Sequence, residues 1–408
     1  MKLKTIKIGD FGEIITGNTP PKDRLEFYGK EYKFIKPTDM DVERKFTPVT
    51  EEYYSQEGYK KYEKSVIPPL STCVVTIGSI GKKMTLSDDY CFVNQAVNAI
   101  VPNQAKYHPH FVYYALRNNL HRVKAADTGA SSGRENVSKS NFSGLTIEVP
   151  ESLQTQQKIA AILSDYDDLI ENNLRRIRLL EAAAQHLYRE WFVEFRFPGW
   201  EEVKVLAGLP EGWVMGSVGQ LCKVKSGYAF KSKDWRESGN PVIKITNIGN
   251  NTVDTLNCDF VEDEIAKVAE KFELYKGEMV IAMTGATIGK VGLIPKIEKP
   301  IFLNQRVGVF KPLAKSKVFT SFLFAFFTLD DAQRKVINLA QGAAQPNIST
   351  SQIESIEVII GSEIVLDEFC RMTNPFLEQI QILNYSNQKL KEARDILLPR
   401  LMDQTIEI

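Results

Sequence analysis

Apolar residues recur at alternating spacings of four and three along residues 159–191, which is the a/d pattern of a coiled-coil helix. These positions are Ile159, Leu163, Tyr166, Ile170, Asn173, Ile177, Leu180, Ala184, Leu187 and Trp191. A shift of 210 residues gives a second, less apolar series in the same register: Phe369, Thr373, Phe376, Ile380, Leu383, Asn387, Leu390, Arg394, Leu397 and Leu401. The pattern predicts two long helices whose apolar seams are natural partners for each other.

Polar residues interrupt both predicted seams at Asn173 and Asn387. A buried asparagine in a seam often fixes the register at some cost in stability, whereas an asparagine at the seam's edge is simply hydrated. The sequence leaves both interpretations open. Asn374-Pro375 lies within the second pattern, and proline lacks the amide donor of a helix interior. The regular part of the second helix is therefore predicted to begin only near Pro375.

Outside the two seams, short runs rich in Val, Ile, Thr and Tyr are bounded by Gly, Pro or Asn, which is typical of β-strands. In the first half these runs are residues 33–35, 72–77, 96–101 and 145–149. In the second half they are residues 242–245, 279–283, 308–310 and 356–360. A helix is predicted over residues 109–124 and a buried helix over the Phe-rich residues 319–327. Each half thus indicates a mixed α/β globule.

Four segments occur twice in the same order, which indicates two copies of one domain. The pairs are residues 34–39 and 242–247, 79–82 and 287–290, 92–97 and 302–307, and Gly129-Ala130 with 136–138 against Gly342-Ala343 with 347–349. A two-fold relation between copies favours antiparallel helices. The predicted fold is α+β, with two similar globular domains joined by two long antiparallel coiled-coil helices. The predicted segments are 1–150 (first domain), 151–197 (central helix), 198–360 (second domain) and 361–408 (C-terminal helix).

Composition is that of a globular protein, with 43% hydrophobic and 25% charged residues among 408. No apolar run approaches the roughly 18 residues that span a bilayer, and the start lacks a signal-peptide core. The five cysteines are scattered without C-x-x-C spacing, which favours reduced thiols and a cytoplasmic location. Lys plus Arg equals Asp plus Glu, at 51 each, so any DNA-binding face must be a local concentration of basic residues.

Sequence motifs for catalysis are missing from the chain. There is no P-loop and no G-x-G-x-x-G after a strand. His108 and His110 have only a weak metal-ligand spacing without a nearby Cys or acidic cluster. The two-copy plan therefore favours a binding or scaffolding protein. An enzyme, such as a fused DNA methyltransferase or nuclease, and a coiled-coil assembly scaffold with no DNA role remain as alternatives.

The chain resembles specificity subunits of type I restriction–modification systems over essentially its whole length. The similar segments are residues 157–170, 187–195, 209–213, 12–20 and 396–402. Asp403-Gln404 departs from the Ser-Gly-Glu that the family often has there. The resemblance implies a non-catalytic subunit in which each domain reads half of a split site in double-stranded DNA. It also implies that the helices set the gap between the half-sites and dock two modification subunits.

The same resemblance places the cofactors on other subunits. The modification subunits would carry S-adenosylmethionine and methylate adenine, and restriction (motor) subunits would use ATP and Mg²⁺. No cofactor, metal or membrane contact is expected for this chain itself.

Candidate DNA contacts follow from the repeats and from their differences. Lysines repeated in both copies suit phosphates, which every target shares: Lys36, Lys82, Lys244 and Lys290. The base-reading candidates carry amide, hydroxyl or guanidinium groups: Asn94, Gln95, Ser131, Ser132, Arg134, Asn304, Gln305, Arg306 and Gln345. Two alternatives stay open, namely that the Asn-Gln pairs tie a turn to the backbone and that the lysines are merely solvated. Tyr228 and Phe230 could either stack on bases or pack.

Overall fold

The computed structural model describes residues 3–41, 43–127, 135–249, 251–297, 299–313, 319–340 and 346–408. The chain divides into two compact units. Unit 1 comprises Met1–Glu171 with Lys389–Ile408, and unit 2 comprises Asn172–Gln388. Both dividing points fall within long helices, so each unit holds one globular region and part of each long helix. No helix in the described part of the chain is long and apolar enough to cross a membrane.

Unit 1 contains nine strands and four short helices among its described residues. The strands are β1 (Leu3–Lys7), β2 (Gly12–Thr16), β3 (Tyr28–Ile35), β4 (Glu52–Tyr54), β5 (Thr72–Val75), β6 (Met84–Leu86), β7 (Cys91–Val93), β8 (Val97–Pro102) and β9 (Thr146–Pro150). The helices are α1 (Gln56–Lys61), α2 (Pro109–Asn118), α3 (Leu120–Ala125) and α4 (Lys139–Gly144). The strands form a sheet of order β2-β8-β5-β6, a sheet of order β4-β3-β7, and the pair β1-β9.

The helix predicted over residues 109–124 is two helices, α2 and α3, which meet at Asn119. The backbone of Asn119 leaves the helical region, with φ of −109° and ψ of 13°. Its side-chain amide donates to the carbonyl of Ala115 at 2.8 Å, so the side chain takes over part of the hydrogen bonding at the end of α2.

The central helix α5 (Leu153–Phe192) follows, and unit 2 repeats the plan of unit 1 with additional short strands. Its strands are β10 (Val205–Leu206), β11 (Leu209–Pro210), β12 (Val214–Ser217), β13 (Cys222–Ser226), β14 (Trp235–Arg236), β15 (Asn240–Ile243), β16 (Ile248–Gly249), β17 (Thr252–Val253), β18 (Asp259–Val261), β19 (Glu273–Leu274), β20 (Met279–Ala282), β21 (Val291–Leu293), β22 (Ile301–Leu303), β23 (Val307–Pro312) and β24 (Glu357–Ile360). The helices are α6 (Asp263–Val268), α7 (Phe319–Phe327), α8 (Asp330–Leu339), α9 (Thr350–Glu354) and the C-terminal helix α10 (Glu363–Met402). Helix α7 has the predicted bounds and is buried as predicted.

Strand pairing in the two units agrees residue by residue. In unit 1, Ile14 of β2 pairs antiparallel with Ile100 of β8, and in unit 2, Val224 of β13 pairs with Phe310 of β23, 210 residues later. The parallel pair β3-β7 recurs as β15-β22, and the antiparallel pair β1-β9 recurs as β12-β24. The predicted pair of similar α+β domains is confirmed.

The long helices pair antiparallel within each unit. In unit 1, Ile159 and Leu163 near the start of α5 share a buried cluster with Leu398 and Leu401 near the end of α10. In unit 2, Ala184 and Trp191 near the end of α5 share a cluster with Phe369 near the start of α10. The predicted antiparallel arrangement is therefore confirmed.

Helix α10 runs without interruption through Pro375, so the prediction that its regular part begins only near Pro375 was wrong. Proline costs a helix interior about 3 kcal/mol. Here Phe369 and Cys370 before the proline, and Leu377 and Ile380 after it, are all buried. We attribute the continuous helix to this packing on both sides of the proline, which outweighs the local penalty.

Candidate nucleic-acid interface

A tight turn follows the equivalent strands β7 and β22, and its asparagine holds it closed. The side-chain oxygen of Asn94 accepts from the amide of Ala96 at 3.1 Å. The oxygen of Asn304 accepts from the amide of Arg306 at the same distance of 3.1 Å. These contacts correspond to the alternative in which the asparagines tie a turn to the backbone. Because each of these oxygens already accepts one hydrogen bond within the turn, Asn94 and Asn304 are weaker candidates for bidentate base contacts, and their base-reading role stays a prediction.

A glycine-opened loop lies against each of these turns. A Cβ on Gly17 would lie 2.0 Å from the carbonyl oxygen of Val93, and a Cβ on Gly227 would lie 2.0 Å from that of Leu303. Only glycine permits so close an approach of two backbones. The loops therefore bring their following side chains next to the turns: Asn18 donates its backbone amide to Val93, and Tyr228 does so to Leu303.

A 3₁₀ turn contacts the same loop in each unit. In unit 1, the side-chain amide of Asn18 donates to the hydroxyl of Ser65 at 2.7 Å. In unit 2, the ring of Tyr228 lies 5.8 Å from that of Phe272. Three segments thus meet in each unit. We call residues 17–20, 63–65 and 94–96 the turn face of unit 1, and residues 227–230, 270–272 and 304–306 the turn face of unit 2.

The turn faces present exposed polar side chains. Gln95 is exposed and accepts a hydrogen bond from the hydroxyl of Thr19. Gln305 and Arg306 are exposed, and within the described residues the guanidinium of Arg306 forms no ion pair. The rings of Tyr228 and Phe230 meet edge to face with their centroids 4.9 Å apart, and Phe230 is buried, so these aromatic rings pack.

The lysines of the repeated Ile-Gly-Lys segments, Lys82 and Lys290, are exposed. Each follows a glycine in the left-handed region, with φ of +70° at Gly81 and +80° at Gly289. Because residues other than glycine rarely adopt this backbone conformation, the two glycines determine the shape of both turns and with it the positions of the lysines.

The other predicted phosphate pair, Lys36 and Lys244, is already paired with carboxylates. The ammonium of Lys36 lies 2.8 Å from Glu51 and 3.4 Å from Glu52. The ammonium of Lys244 pairs with Asp259 and lies 3.5 Å from the ring centroid of Trp235. A DNA phosphate would compete with these partners, so Lys36 and Lys244 are weaker candidates than Lys82 and Lys290.

Four base-reading candidates, Ser131, Ser132, Arg134 and Gln345, lie outside the described residues. The repeated Gly-Ala pairs at 129–130 and 342–343 also lie outside them. Their proposed roles stay predictions.

The predicted seam residues lie on the packed faces of α5 and α10. Those that are buried are Ile159, Leu163, Ile170, Asn173, Ile177, Ile380, Leu383, Asn387 and Leu401. Those that are half-buried are Leu180, Leu187, Phe376, Leu390 and Leu397. The side-chain amide of Asn173 donates to the side-chain oxygen of Asn387 at 2.8 Å. Both asparagines are therefore buried partners within unit 2 and do not lie at a hydrated edge.

A cavity of about 490 Å³ in unit 1 is lined by His108 and His110. The Nδ1 atom of His110 lies 3.1 Å from the hydroxyl of Ser164, and burial lowers the pKa of His110 to about 4. Among the described residues, no cluster of three or more His, Cys, Asp or Glu is placed to hold a metal ion.

A family model described as the type I restriction modification DNA specificity domain matches residues 2–182 and 210–362. The chain belongs to this family. The first match contains strands β1–β9, and the second contains β12–β24, so each globular region is one specificity domain.

The specificity family includes relatives that match nearly the whole chain. The type I restriction enzyme MjaIX specificity subunit of Methanocaldococcus jannaschii is 25% identical over 97% of this chain and 91% of its own. The HindI specificity subunit of Haemophilus influenzae is 23% identical over 78% and 82%. The crystal structure of the S subunit from M. genitalium has a similar fold, with a TM-score of 0.58 and 17% identity over 98% and 96%.

The specificity subunit also contains a buried ion pair that the sequence did not reveal. Arg394 and Asp167 are within 2.6 Å of each other, with side chains 0% and 2% exposed. The hydroxyl of Tyr114 donates to the other oxygen of Asp167 at 2.6 Å. The one sign of this ion pair in the sequence was an arginine, Arg394, at a seam position of α10 where an apolar residue is expected. Its partner could not be found, because Asp167 lies beside the seam of α5 and not on it.

Variants of two neighbouring residues in the turn of unit 1 are expected to distinguish a structural role from a role in DNA reading. Asn94→Ala removes the hydrogen bond from Ala96 and should destabilise unit 1 by about 0.5–1.5 kcal/mol without changing base preference. Gln95→Ala should change stability by less than about 0.5 kcal/mol but relax one base position by about 1–3 kcal/mol. Thermal unfolding and a binding profile over a randomised half-site measure the two effects. The opposite pattern would show that Asn94 reads bases.

Proposed function

We propose that this specificity subunit reads a bipartite DNA site, one half-site per unit, and performs no catalysis itself. One observation carries the proposal: the turn face recurs in both units on strands paired in the same register. Its backbone is shared, while side chains on it differ, such as the half-buried Ala96 against the exposed Arg306. A shared scaffold with divergent exposed side chains is what two related domains need to read different sequences.

The partners follow from the family. Two modification subunits bind S-adenosylmethionine and methylate adenine, and restriction subunits use ATP and Mg²⁺ for cleavage. The paired helices dock the modification subunits and set the length of the unread gap. The relatives named above are specificity subunits of type I restriction enzymes, which supports this assignment. The complex acts on DNA in the cytoplasm.

Exchange of one domain tests the bipartite assignment. Residues 1–150 are replaced by the equivalent segment of a relative with a different target, and the variant is produced with its modification subunit in cells. Methylome sequencing should show one half-site changed and the other retained, because each unit has its own sheets and core. The matched control is replacement of residues 198–360, which should change the other half-site. Changes in both half-sites after a single exchange would contradict independent reading.

The two alternative functions give different results in the same system. The purified chain alone should neither methylate nor cleave DNA, and methylation should appear only when the modification subunit is added. Methyl transfer by the chain alone would support a fused enzyme. A chain without salt-dependent affinity for DNA would support a coiled-coil scaffold.

A further inference from the structure

A short helix followed by a 3₁₀ turn carries matching lysines in both units. The elements are α1 with the turn Glu63–Ser65 and α6 with the turn Glu270–Phe272. Both elements correspond at a constant shift of 207 residues. At this shift Lys60 corresponds to Lys267 and Lys64 to Lys271, and neither lysine pair belongs to the segments whose repetition first revealed the two domains.

These four lysines are exposed, and within the described residues they have no acidic partner. Across the residues that the structure describes, Lys60, Lys64, Lys267 and Lys271 form no ion pair, and all four are exposed. Lys36 and Lys244, by contrast, pair with carboxylates.

Lys64 and Lys271 belong to the turn faces, and Lys60 and Lys267 lie three residues before the segments 63–65 and 270–272. Ser65 follows Lys64 directly and accepts the hydrogen bond of Asn18 at 2.7 Å. Phe272 follows Lys271 directly and contacts the ring of Tyr228 at 5.8 Å. In each unit a lysine is therefore adjacent in sequence to a residue of the same surface that exposes Gln95 or Arg306.

We propose that Lys64 and Lys271 within the turn faces, together with Lys60 and Lys267 beside them, bind DNA phosphates and orient each turn face for base reading. This inference rests on the proposed function. Phosphates are common to every target, so two domains that read different bases can share these contacts. The competing structural role is stabilisation of the C-terminal ends of α1 and α6, where cations interact favourably with the helix dipole.

The test uses the full chain and a fluorescent duplex of randomised sequence, with binding measured by anisotropy across a series of salt concentrations. Lys64→Ala and Lys271→Ala should each lower the slope of log affinity against log salt by about one, and the double variant by about two. Each single variant should bind several-fold more weakly, equally for all sequences. Lys64→Arg should retain the slope of the unaltered chain.

Lys106→Ala is the matched control. Lys106 is exposed and comes four residues after Pro102, which pairs with Gly12 at the start of β2. The turn face of unit 1 begins after Thr16, at the other end of the same strand. Its removal should leave the slope unchanged. Variants at Lys64 and Lys271 that lower the melting temperature but keep the slope would overturn the phosphate role and leave the proposed function intact. An unaltered chain without salt-dependent binding would overturn both.

Discussion

Replacement of Asp167 by alanine is expected to destabilise unit 1 by about 3–5 kcal/mol, because it leaves the buried guanidinium of Arg394 without its main partner. Asp395 would still accept from the Nε atom of Arg394 at 2.9 Å, but its carboxylate is half exposed. The Nη2 atom of Arg394 has no partner within the described residues even before the change. An uncompensated charge in the interior costs more than the lost hydrogen bonds alone.

The measurement must resolve unit 1, since unfolding of a chain with two compact units is not a single two-state transition. Hydrogen exchange of the amides of α2 provides this, because Tyr114 of that helix donates to Asp167 and is itself fully buried. Protection of α2 should fall by the expected amount in Asp167→Ala, while protection of α7 in unit 2 serves as the internal control.

The double variant Asp167→Leu with Arg394→Met is the decisive comparison. Removal of both charges and retention of volume should restore much of the stability, because a buried ion pair is often no better than apolar packing, although the hydroxyl of Tyr114 still loses its acceptor. The chain contains its own precedent: at a shift of 210 residues, Asp167 corresponds to Leu377 and Arg394 to Ala184, and both are buried apolar residues in unit 2. A double variant as unstable as Asp167→Ala would show that the pair itself stabilises unit 1.

The helices and the repeated domains could be predicted because the residues that determine them are close in sequence or occur twice in the chain. A seam needs apolar residues at spacings of three and four, and a repeated turn keeps the residues that its backbone requires. Gly81 and Gly289 at positive φ are such residues, and so are the turn-closing Asn94 and Asn304. The last two were predicted as base readers with a turn role as the alternative, because repetition alone does not distinguish scaffold from contact.

Partnerships made by tertiary structure could not be predicted. Lys36 meets Glu51 and Glu52 only because β4 lies antiparallel to β3, with Phe34 paired to Glu52. The lysines of α1, α6 and the 3₁₀ turns after them were missed because four identities among ten residues become visible only when two helices of equal length are aligned. The predicted DNA roles of individual residues stay predictions, since a base contact depends on a partner outside the chain.

Glu181 of α5 is a half-buried carboxyl that lacks a cationic partner of the kind that Asp167 has. Its Oε1 atom is buried without a partner within the described residues. Burial raises the pKa of Glu181 to about 7, although a hydrogen bond with Asn251 and the charge of Arg178 act in the opposite direction. Asn251 itself has a positive φ of 58°, a left-handed conformation that asparagine adopts more readily than most residues.

The raised pKa fixes the sign of a pH effect on unit 2. Below about pH 4.5 the carboxyl is protonated in both folded and unfolded states, and its burial carries no electrostatic penalty. As pH rises towards 7, the unfolded chain releases the proton while the folded chain retains it, so the stability of unit 2 declines. Above pH 7 the penalty is constant, at roughly 3 kcal/mol for a shift from 4.5 to about 7.

Glu181→Gln, which mimics the protonated acid, is therefore expected to stabilise unit 2 by roughly 3 kcal/mol at pH 8 and by almost nothing at pH 4.5. Hydrogen exchange of α7 across this pH range measures the difference, with the amides of α2 in unit 1 as an unaffected reference. Glu378→Gln, at an exposed position of α10, is the matched control and should give a small change that does not vary with pH. A gain for Glu181→Gln that is equal at both pH values would mean that the carboxyl is not buried as a charge. A loss at pH 8 would mean that its ionised form makes a contact stronger than the desolvation penalty.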